Sequence, residues 1–331
     1  MFTLTHKKGD RTLKKLGLFS FIFTLIFLLA ACGGKEEAST TASTEAEKTE
    51  EESKEVKITH EYGEVTLEKN PEKVVVFDFG VLDTLDAFGV EVAGVPQAVI
   101  PKSLEKYASS DYTNVGGLKE PDFEAIHHLE PDVIFISGRQ AELYDQFAEI
   151  APTVFMDVDY TNYIPSLEKN FKLLAEIFEK EDVLETKMEE LKASIEEVNK
   201  EATASEEKAI ILLANEGKVS AYGPGSRYGF VHDAFGFKAV DENLEVSQHG
   251  QSITFEYLLE KNPDVIFVID RSAAVGGEAG AKETIENELV KKTNAYKNGK
   301  IIYLDPVNWY IAGNGVASTK LLVEDVKAAL K

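Results

Sequence analysis

The sequence predicts an α/β fold built as two similar lobes, and three observations indicate this. From residue 56 onward, short runs of β-branched and aromatic residues alternate with helix-length patterns, as in parallel sheets covered by helices. A segment of 17 residues occurs twice, once in each half of this region. Between the two copies, residues 166–204 form a helical pattern without Pro or Gly.

The composition is that of a folded, acidic protein. The 331 residues are 44% hydrophobic, so a sizeable core is expected. A formal net charge of -23 argues against a nucleic-acid partner, because such binding requires basic surface. The single cysteine, Cys32, excludes an intrachain disulfide and a multi-cysteine metal site.

Residues 1–31 predict a signal peptide for secretion. Basic residues precede sixteen apolar or small residues, Leu16–Ala31, which is shorter than the about 20 residues of a membrane span. The ending Leu-Ala-Ala-Cys-Gly resembles the lipobox of bacterial lipoproteins, in which Cys32 becomes the lipidated mature N-terminus. An uncleaved anchor helix is the alternative, and both interpretations place the folded part outside the cytoplasm.

Residues 32–55 are predicted to form the lipidated Cys and a disordered tether. Lys35–Glu55 contains eight Glu, three Lys and no aromatic or large aliphatic residue, so it cannot bury enough surface to fold. A flexible coil of this length spans on the order of 25 Å. We therefore expect a domain held near a membrane with freedom to reorient.

The folded part divides into a predicted N-terminal lobe, residues 56–182, and a predicted C-terminal lobe, residues 204–331. Its strands are expected at Val74–Asp78, Val90–Val95, Asp132–Ser137 and Thr153–Val158, and at Ala209–Ala214, Lys218–Tyr222, Asp264–Asp270 and Lys300–Asp305. Residues 183–203 predict a helix of roughly 30 Å that links the lobes. The alternative is a surface helix packed on one lobe.

The repeat places an Arg at the same position in each lobe. Phe123–Arg139 and Phe255–Arg271 align without a gap and are identical at 8 of 17 positions. Each copy predicts a short helix, a Pro-led turn, a buried strand and an Arg just beyond the strand, at the sheet edge where ligands bind in α/β folds. Because Arg is rare here and Lys is common, we expect Arg139 and Arg271 to face one cleft rather than to form ordinary surface ion pairs.

A third Arg lies in the Gly-rich segment Gly223–Gly229. Its GxGxxxG spacing is one residue longer than that of a dinucleotide fingerprint, and Pro224 removes a backbone donor, so nucleotide binding is disfavoured. We expect a turn that presents Arg227 beside the other two. Neither a G-x-S-x-G nor a H-E-x-x-H motif occurs, which disfavours the corresponding hydrolases.

Two further residues lie in polar or aromatic loops. His249 belongs to the loop SQHGQS, and Tyr310 to the loop NWYIAGNG that follows the last strand. By itself, a His in a loop is usually solvated, and an aromatic residue in a loop commonly caps a core. His127 and His128, within the first copy of the repeat, are expected to be packing or surface residues.

With these residues the chain resembles the class III substrate-binding lipoproteins of bacterial iron-uptake ABC transporters, in particular the binders of ferric catecholate siderophores of the enterobactin and petrobactin type. The likeness covers Val56–Lys331 and is most specific in GSRYGFVHDAFG, VSQHGQSI, NPDVIFVIDR and NWYIAGNG. The resemblance implies two Rossmann-like lobes that face a shallow cleft and are joined by a single long α-helix.

The resemblance also implies roles for the candidate residues. Arg139, Arg227 and Arg271 would hold the catecholate oxygens, and guanidinium groups suit such oxygens. His249 and Tyr310 would complete the coordination of Fe(III) where the siderophore leaves two positions open, and a phenolate suits this hard ion.

Docking to a permease is the second implied role. Glu124 and Glu256, the second residue of each copy of the repeat, would contact Arg residues of the permease. The alternative is that each acid only complements the dipole of the helix that it begins.

The resemblance thus implies a non-enzymatic receptor, lipid-anchored on the outer face of the cell membrane, most simply of the Gram-positive type. We expect a monomer without an intrinsic cofactor, whose partners are a ferric siderophore as transported ligand, the ABC permease subunits and the membrane, through its N-terminal lipid. The alternatives are the same receptor class with haem, cobalamin or a ferric hydroxamate as cargo, and an exported α/β enzyme.

Overall fold

Two large β-sheets organise the described part of the chain, one from each half of the sequence. The computed structural model describes residues 54–278 and 280–331, so the predicted signal peptide, Cys32 and nearly all of the predicted tether lie outside the described residues. The two sheets agree with the predicted two-lobe α/β fold. Within the described residues, no helix combines the length and the apolar character that a membrane crossing requires.

The N-terminal lobe contains a two-stranded hairpin and a five-stranded parallel sheet. The sheet has the order β5-β4-β3-β6-β7. Its strands and those of the hairpin are β1 Glu55–His60, β2 Gly63–Glu68, β3 Val74–Val76, β4 Gly94–Val95, β5 Thr113–Asn114, β6 Val133–Ile136 and β7 Thr153–Phe155. Several of the strands are shorter than expected, and the hairpin was not predicted. β1 begins at Glu55, one residue inside the predicted tether.

Helices cover this sheet and continue toward the second half of the chain. They are α1 Phe79–Ala87, α2 Phe123–Leu129, α3 Tyr144–Ala148, α4 Tyr163–Phe178 and α5 Glu181–Ala204, with 3₁₀ turns at Lys102–Ala108, Ala141–Leu143 and Tyr160–Asn162. Helix α1 begins where the Asp78 carboxylate accepts the backbone N–H groups of Gly80 and Val81.

The C-terminal lobe has a mixed sheet. The order is β11-β9-β8-β12-β13, and β10 also pairs with β8. The strands are β8 Lys208–Asn215, β9 Lys218–Tyr222, β10 Lys238–Ala239, β11 Gln251–Ser252, β12 Val265–Asp270 and β13 Ile301–Tyr303. The helices are α6 Phe230–Asp233, α7 Phe255–Lys261, α8 Arg271–Ala274, α9 Ala281–Ile285, α10 Asn294–Lys297 and α11 Val316–Val326, with 3₁₀ turns at Val290–Lys292 and Lys327–Leu330 and a π-helix at Asn308–Ala312.

The antiparallel part of this sheet departs from the prediction of parallel strands. Strands β8 and β9 are joined by Glu216 and Gly217, which both have positive φ, 50° and 76°. Positive φ at both central residues is what a tight two-residue hairpin turn needs, so β9 runs back along β8. Strand β11 then pairs antiparallel with β9.

The sequence repeat forms the same elements in both lobes. Helices α2 and α7 begin after a capping side chain, Asp122 or Thr254, that accepts a backbone N–H of the first turn. Both helices end at a residue in the left-handed region, Glu130 at φ 49° and Asn262 at φ 47°. A Pro follows in each copy, and then the buried strand β6 or β12 begins.

Helix α5 joins the two halves of the chain and contacts both. Near its middle, Lys192 forms an ion pair with Glu168 of α4 at 2.8 Å. Near its end, the Asn199 amide donates to the carbonyl oxygen of Ala234 at 2.9 Å. The helix spans 181–204, slightly more than the predicted 183–203, and these contacts favour the linking helix over a surface helix packed on one lobe.

The last long helix of the chain returns to the first lobe. The backbone N–H groups of Ala317 and Ser318, in the first turn of α11, both donate to Oδ2 of Asp83 on α1 at 2.8 Å. The N–H of Val316 donates to the Thr84 hydroxyl at 3.2 Å. Two side chains of α1 thus cap the N-terminus of α11.

Candidate ligand-binding site

A cleft of about 710 Å³ lies between the two lobes. The N-terminal lobe contributes Ser137 and Arg139, which follow strand β6, and the C-terminal lobe contributes Arg227, His249 and Tyr310. The cleft lies beyond the carboxyl end of β6, the sheet edge at which the repeat predicted a ligand.

Tyr310 is the point at which the three Arg side chains meet. Arg139 and Arg227 each donate from Nη2 to the backbone carbonyl oxygen of Tyr310, at 2.5 and 2.7 Å. Arg271 donates from Nε to the Tyr310 hydroxyl at 3.0 Å. The guanidinium carbons lie 5.8, 4.7 and 5.7 Å from the centroid of the Tyr310 ring, in the order Arg139, Arg227, Arg271. Three residues far apart in sequence therefore surround one tyrosine.

No acidic side chain among the described residues neutralises the positive charge of these three arginines. Across the described residues, none of the three guanidinium groups has a carboxylate oxygen within 4.0 Å. All three side chains are half-buried, where an unpaired charge is less well solvated than at the surface. The arrangement therefore favours an anion at this place.

The same charges act on the Tyr310 phenol. Burial opposes ionisation of the hydroxyl, but the hydrogen bond from Arg271 and the charges of Arg271, Arg227 and Arg139 lower the pKa of Tyr310 below its usual value. A phenol with a lowered pKa reaches its phenolate form more readily, and a phenolate oxygen is a ligand of hard metal ions.

Glycines set the position of Arg227. Gly225 has a φ of +71°, and a Cβ on Gly229 would lie 2.6 Å from the Gly225 nitrogen, so the turn closes tightly only with glycine. The Gly225 N–H donates to the Asp233 carboxylate at 2.7 Å. This backbone donor is therefore already paired with a carboxylate.

The other site residues follow strand ends and are fixed by side chains nearby. Arg271 begins α8, which the Asp270 carboxylate caps through the Ala273 N–H at 3.1 Å. Asp270 also accepts the N–H groups of Gly280 and Ala281, at 2.8 and 2.9 Å. Beside Arg139, the Gln140 amide donates to the Leu118 carbonyl oxygen at 2.6 Å. These bonds hold the loops that carry the two Arg.

The π-helix positions Tyr310. The Asn308 N–H donates to the Asp305 carboxylate at 2.7 Å, and the indole N–H of buried Trp309 donates to Asp325 at 2.8 Å. Trp309 also stacks on Phe230 with ring centroids 5.8 Å apart. The residue before Tyr310 is therefore fixed in the core while Tyr310 itself faces the cleft.

His249 lies in the cleft wall and is exposed. Its backbone N–H donates to the Ser247 hydroxyl at 3.1 Å, and its ring has no hydrogen-bond partner among the described residues. The following residue, Gly250, has φ +71°, and a Cβ there would lie 2.8 Å from the ring of Tyr222. The loop thus packs closely against Tyr222 at the end of β9, and the imidazole of His249 remains exposed to the cleft.

Arg271 differs from the other two Arg in its surroundings. It does not line the large cleft, but a second cavity of about 170 Å³ that also touches Arg139 and Tyr310. Lys119 lines both cavities and was missed in the sequence, where it is one of many lysines. The sequence feature that could have indicated Lys119 is its position in the turn Gly116-Gly117-Leu118-Lys119, just before the first copy of the repeat.

The remaining predicted residues lie on the surface. Glu124 and Glu256 are exposed in the first turns of α2 and α7 and line neither of the two cavities. His127 and His128 are also exposed on α2, as expected for surface residues, and His128 Nδ1 lies 2.8 Å from the Glu124 carbonyl oxygen. Cys32 lies outside the described residues.

Known proteins similar to this chain share its length and fold. The petrobactin-binding protein YclQ of Bacillus subtilis (strain 168) is 41% identical over 96% of this chain and 100% of its own. The ferric-anguibactin-binding protein FatB of Vibrio anguillarum is 33% identical over 81% of this chain and 85% of its own.

Solved structures of such proteins are also similar to this chain. The crystal structure of YclQ matches with a TM-score of 0.82 and 43% identity, over 84% of this chain and 99% of that chain. The catecholate-siderophore binding protein VctP of Vibrio cholerae matches with a TM-score of 0.77 and 38% identity, over 83% and 99%. Such class III binding proteins have two lobes joined by a long helix. The periplasmic binding protein family matches residues 74–307, and the chain belongs to this family.

Proposed function

We propose that this chain is an extracytoplasmic receptor that captures a ferric siderophore of the catecholate type and delivers it to an ABC permease for iron uptake. The observation that carries the proposal is the group of three guanidinium side chains around Tyr310, without a carboxylate within 4.0 Å among the described residues. The names of YclQ, FatB and VctP support the same class of cargo.

The chemistry of the site fits such a cargo. A ferric catecholate is a compact anion with charge on its oxygens, and Arg139, Arg227 and Arg271 offer planar N–H donors to such oxygens. The protein as a whole is strongly acidic, so attraction at long range does not drive capture. The local cations act at short range, because salt screens the wider field beyond about 8–10 Å.

His249 and Tyr310 are the proposed protein ligands of the iron in a cargo that leaves two coordination positions open. Tyr310 suits this role because the neighbouring Arg side chains lower the pKa of its phenol. His249 suits it because its imidazole is exposed in the cleft wall. The iron arrives with the cargo and leaves with it, so it is substrate rather than a resident cofactor.

Anchoring and docking complete the proposal. The lipobox-like sequence at Cys32 supports a lipid anchor on the outer face of the cell membrane, and residues 33–54 supply the tether. Glu124 and Glu256 are the proposed permease contacts, supported by their exposure and by their equivalent positions in the two copies of the repeat. Membership in a solute-binding family supports a receptor rather than an enzyme.

A binding panel tests the proposal. Trp309, the single tryptophan, adjoins Tyr310 in the chain, so its fluorescence should be quenched when a coloured iron chelate binds. We expect saturable quenching by ferric catecholates, and at least tenfold weaker binding of ferric hydroxamates, cobalamin and haem at the same salt concentration. Preference for one of these other cargoes would overturn the catecholate assignment, and turnover of an ester or phosphate substrate would favour the enzyme alternative.

A further inference from the structure

A buried tyrosine of the N-terminal lobe holds the loop that carries Tyr310. Tyr163 is the first residue of α4, is only 4% exposed, and lines neither the large cleft nor the small cavity of about 170 Å³. Its hydroxyl lies 3.1 Å from the carbonyl oxygen of Gly313 and 3.3 Å from Oδ1 of Asn314. Since Gly313 follows Tyr310 closely in the chain, this side chain fixes the backbone just beyond the proposed iron ligand, across the boundary between the lobes.

The Tyr163 hydroxyl is the donor that the Gly313 carbonyl needs. The Thr319 hydroxyl also lies 3.2 Å from this carbonyl oxygen, but it lies 2.6 Å from the carbonyl oxygen of Gly315. Because a hydroxyl has a single proton to donate, Thr319 serves the nearer Gly315 and leaves Gly313 to Tyr163. Gly313 is buried, and an unpaired buried carbonyl is costly. Without the Tyr163 hydroxyl, the loop is therefore expected to shift toward another donor.

The ring of Tyr163 supports the same loop from the other side of Tyr310. It stacks on Phe230 of α6, with ring centroids 4.2 Å apart and planes inclined by 14°. Phe230 in turn stacks on Trp309, with centroids 5.8 Å apart and planes inclined by 19°. All three rings are buried, where such pairs contribute more than their buried area alone. Tyr163 thus contacts the loop directly after Tyr310, and it supports the residue before Tyr310 through one intervening ring.

Helix α1, which also belongs to the N-terminal lobe, packs against the end of this loop. A Cβ on Gly80 would lie 2.8 Å from the carbonyl carbon of Asn314, and a Cβ on Gly315 would overlap Oδ2 of Asp83. Only glycine permits so close an approach at these two positions. The N-terminal lobe therefore sets the course of a loop that the sequence assigns to the C-terminal lobe.

We propose that Tyr163 is a positioning residue for Tyr310, and that it fixes the loop so that the Tyr310 phenol can reach the iron of a bound chelate. The inference rests on the proposed function and adds to it a residue that lines neither cavity. A metal–ligand bond tolerates an error of only about 0.2 Å, whereas the attraction between guanidinium groups and an anion falls gradually with distance. Loss of the Tyr163 contacts should therefore weaken a cargo that needs Tyr310 as a ligand much more than a cargo that does not.

Two ferric chelates separate positioning from a general loss of structure. A bis-catecholate leaves two positions of the iron open for protein ligands, and a tris-catecholate fills all of them. Tyr163→Phe removes the hydroxyl and keeps the stacked ring. Tyr107→Phe is the matched control, since Tyr107 is also buried in the N-terminal lobe and its hydroxyl donates to Asp86 at 3.0 Å, outside both cavities. Phe230→Leu interrupts the path through the rings, so the test stands even where one of the two variants does not fold.

We expect Tyr163→Phe and Phe230→Leu to bind the ferric bis-catecholate at least tenfold more weakly and to shift the charge-transfer band of that complex. Both should bind the ferric tris-catecholate within threefold of the wild type, and Tyr107→Phe should equal the wild type with both chelates. Equal losses with the two chelates, or no loss with either, would overturn the inference and leave the proposed function standing. Failure of the wild type to bind either chelate would instead overturn the proposed function.

A double-mutant cycle checks that Tyr163 acts through Tyr310. In a Tyr310→Phe background the proposed ligand is already absent, so adding Tyr163→Phe should cause no further loss of affinity for the ferric bis-catecholate. A further loss of the same size as in the wild-type background would show that Tyr163 acts independently of Tyr310 and would contradict the inference.

Discussion

Arg271 and Tyr310 are linked by a hydrogen bond of 3.0 Å from the guanidinium Nε to the phenol oxygen, although they come from different elements of the C-terminal lobe. The bond has two effects. It contributes to the lowered pKa of the phenol, and it holds the Arg271 side chain beside Tyr310, where both residues line the small cavity. Arg271 thus supports the proposed metal ligand and the proposed anion site together.

Arg271→Ala is expected to weaken ferric-catecholate binding at least tenfold. A charge-assisted hydrogen bond is lost and the Tyr310 phenol loses the neighbour that favours its ionised form. Tenfold corresponds to about 1.4 kcal/mol of binding free energy. Fluorescence titration measures the affinity, and Lys297→Ala, which removes an exposed cation of the same lobe, is the control. Affinity within twofold of the wild type would remove Arg271 from the site.

His249→Ala combined with Tyr310→Phe is expected to shift the charge-transfer band of a tetradentate ferric catecholate bound to the protein. The phenolate and the imidazole are proposed to occupy two positions on the iron, and water would replace them. Absorption spectroscopy of the complex measures the shift. The control combines His128→Ala with Tyr303→Phe, two exposed residues outside the cleft. A spectrum that does not move would exclude direct ligation.

Glu124→Lys combined with Glu256→Lys is expected to leave siderophore binding unchanged and to abolish iron uptake by cells. Both carboxylates are exposed and line neither the large cleft nor the small cavity. The substitutions should therefore weaken only the contact with the permease. Radioactive iron uptake measures the effect. Glu149→Lys with Glu260→Lys reverses the same number of exposed charges and serves as the control. Normal iron uptake by the variant with Glu124→Lys and Glu256→Lys would show that these residues do not contact the permease and act only on the helix dipole.

Asp83 is expected to make stability depend on pH between about 4 and 6. Burial, assisted by the charge of neighbouring Asp86, raises the pKa of Asp83 to about 6 against the opposing effect of the hydrogen bonds from Ser318 and Ala317. Because the folded protein holds a proton that the unfolded chain has released, the contribution is present below about pH 4 and is lost as the pH rises through 6.

Asp83→Asn removes this titration. The unfolding free energy of the wild type, taken relative to that of the variant, should fall by up to about 3 kcal/mol between pH 4 and pH 7. Urea unfolding at several pH values measures the difference. A difference that stays constant over this range would mean that Asp83 has the same pKa in the folded and unfolded chain.

Local patterns predicted the two lobes, and they singled out the three arginines that the structure brings together. The repeat indicated two similar units, because the same cap, left-handed helix end and Pro occur in both copies and act within a few residues. The scarcity of Arg drew attention to Arg139, Arg227 and Arg271, and the structure gathers all three at Tyr310.

Features set by distant contacts could not be predicted in this way. Lys119 is one cation among many in the sequence, and only the fold brings it to the edge of both cavities. The two cavities are both lined by Arg139 and Tyr310, which lie 171 positions apart in the sequence. The antiparallel course of β9 was missed for a local reason, because the strand pattern did not reveal the positive φ angles of the turn residues Glu216 and Gly217.

The capping of α11 by Asp83 has a consequence for the order of events during biogenesis. Asp83 and its donors at Ala317 and Ser318 are more than two hundred residues apart, and the donors lie close to the end of the chain. A chain synthesised from its N-terminus therefore cannot form this contact until more than two hundred further residues have followed Asp83.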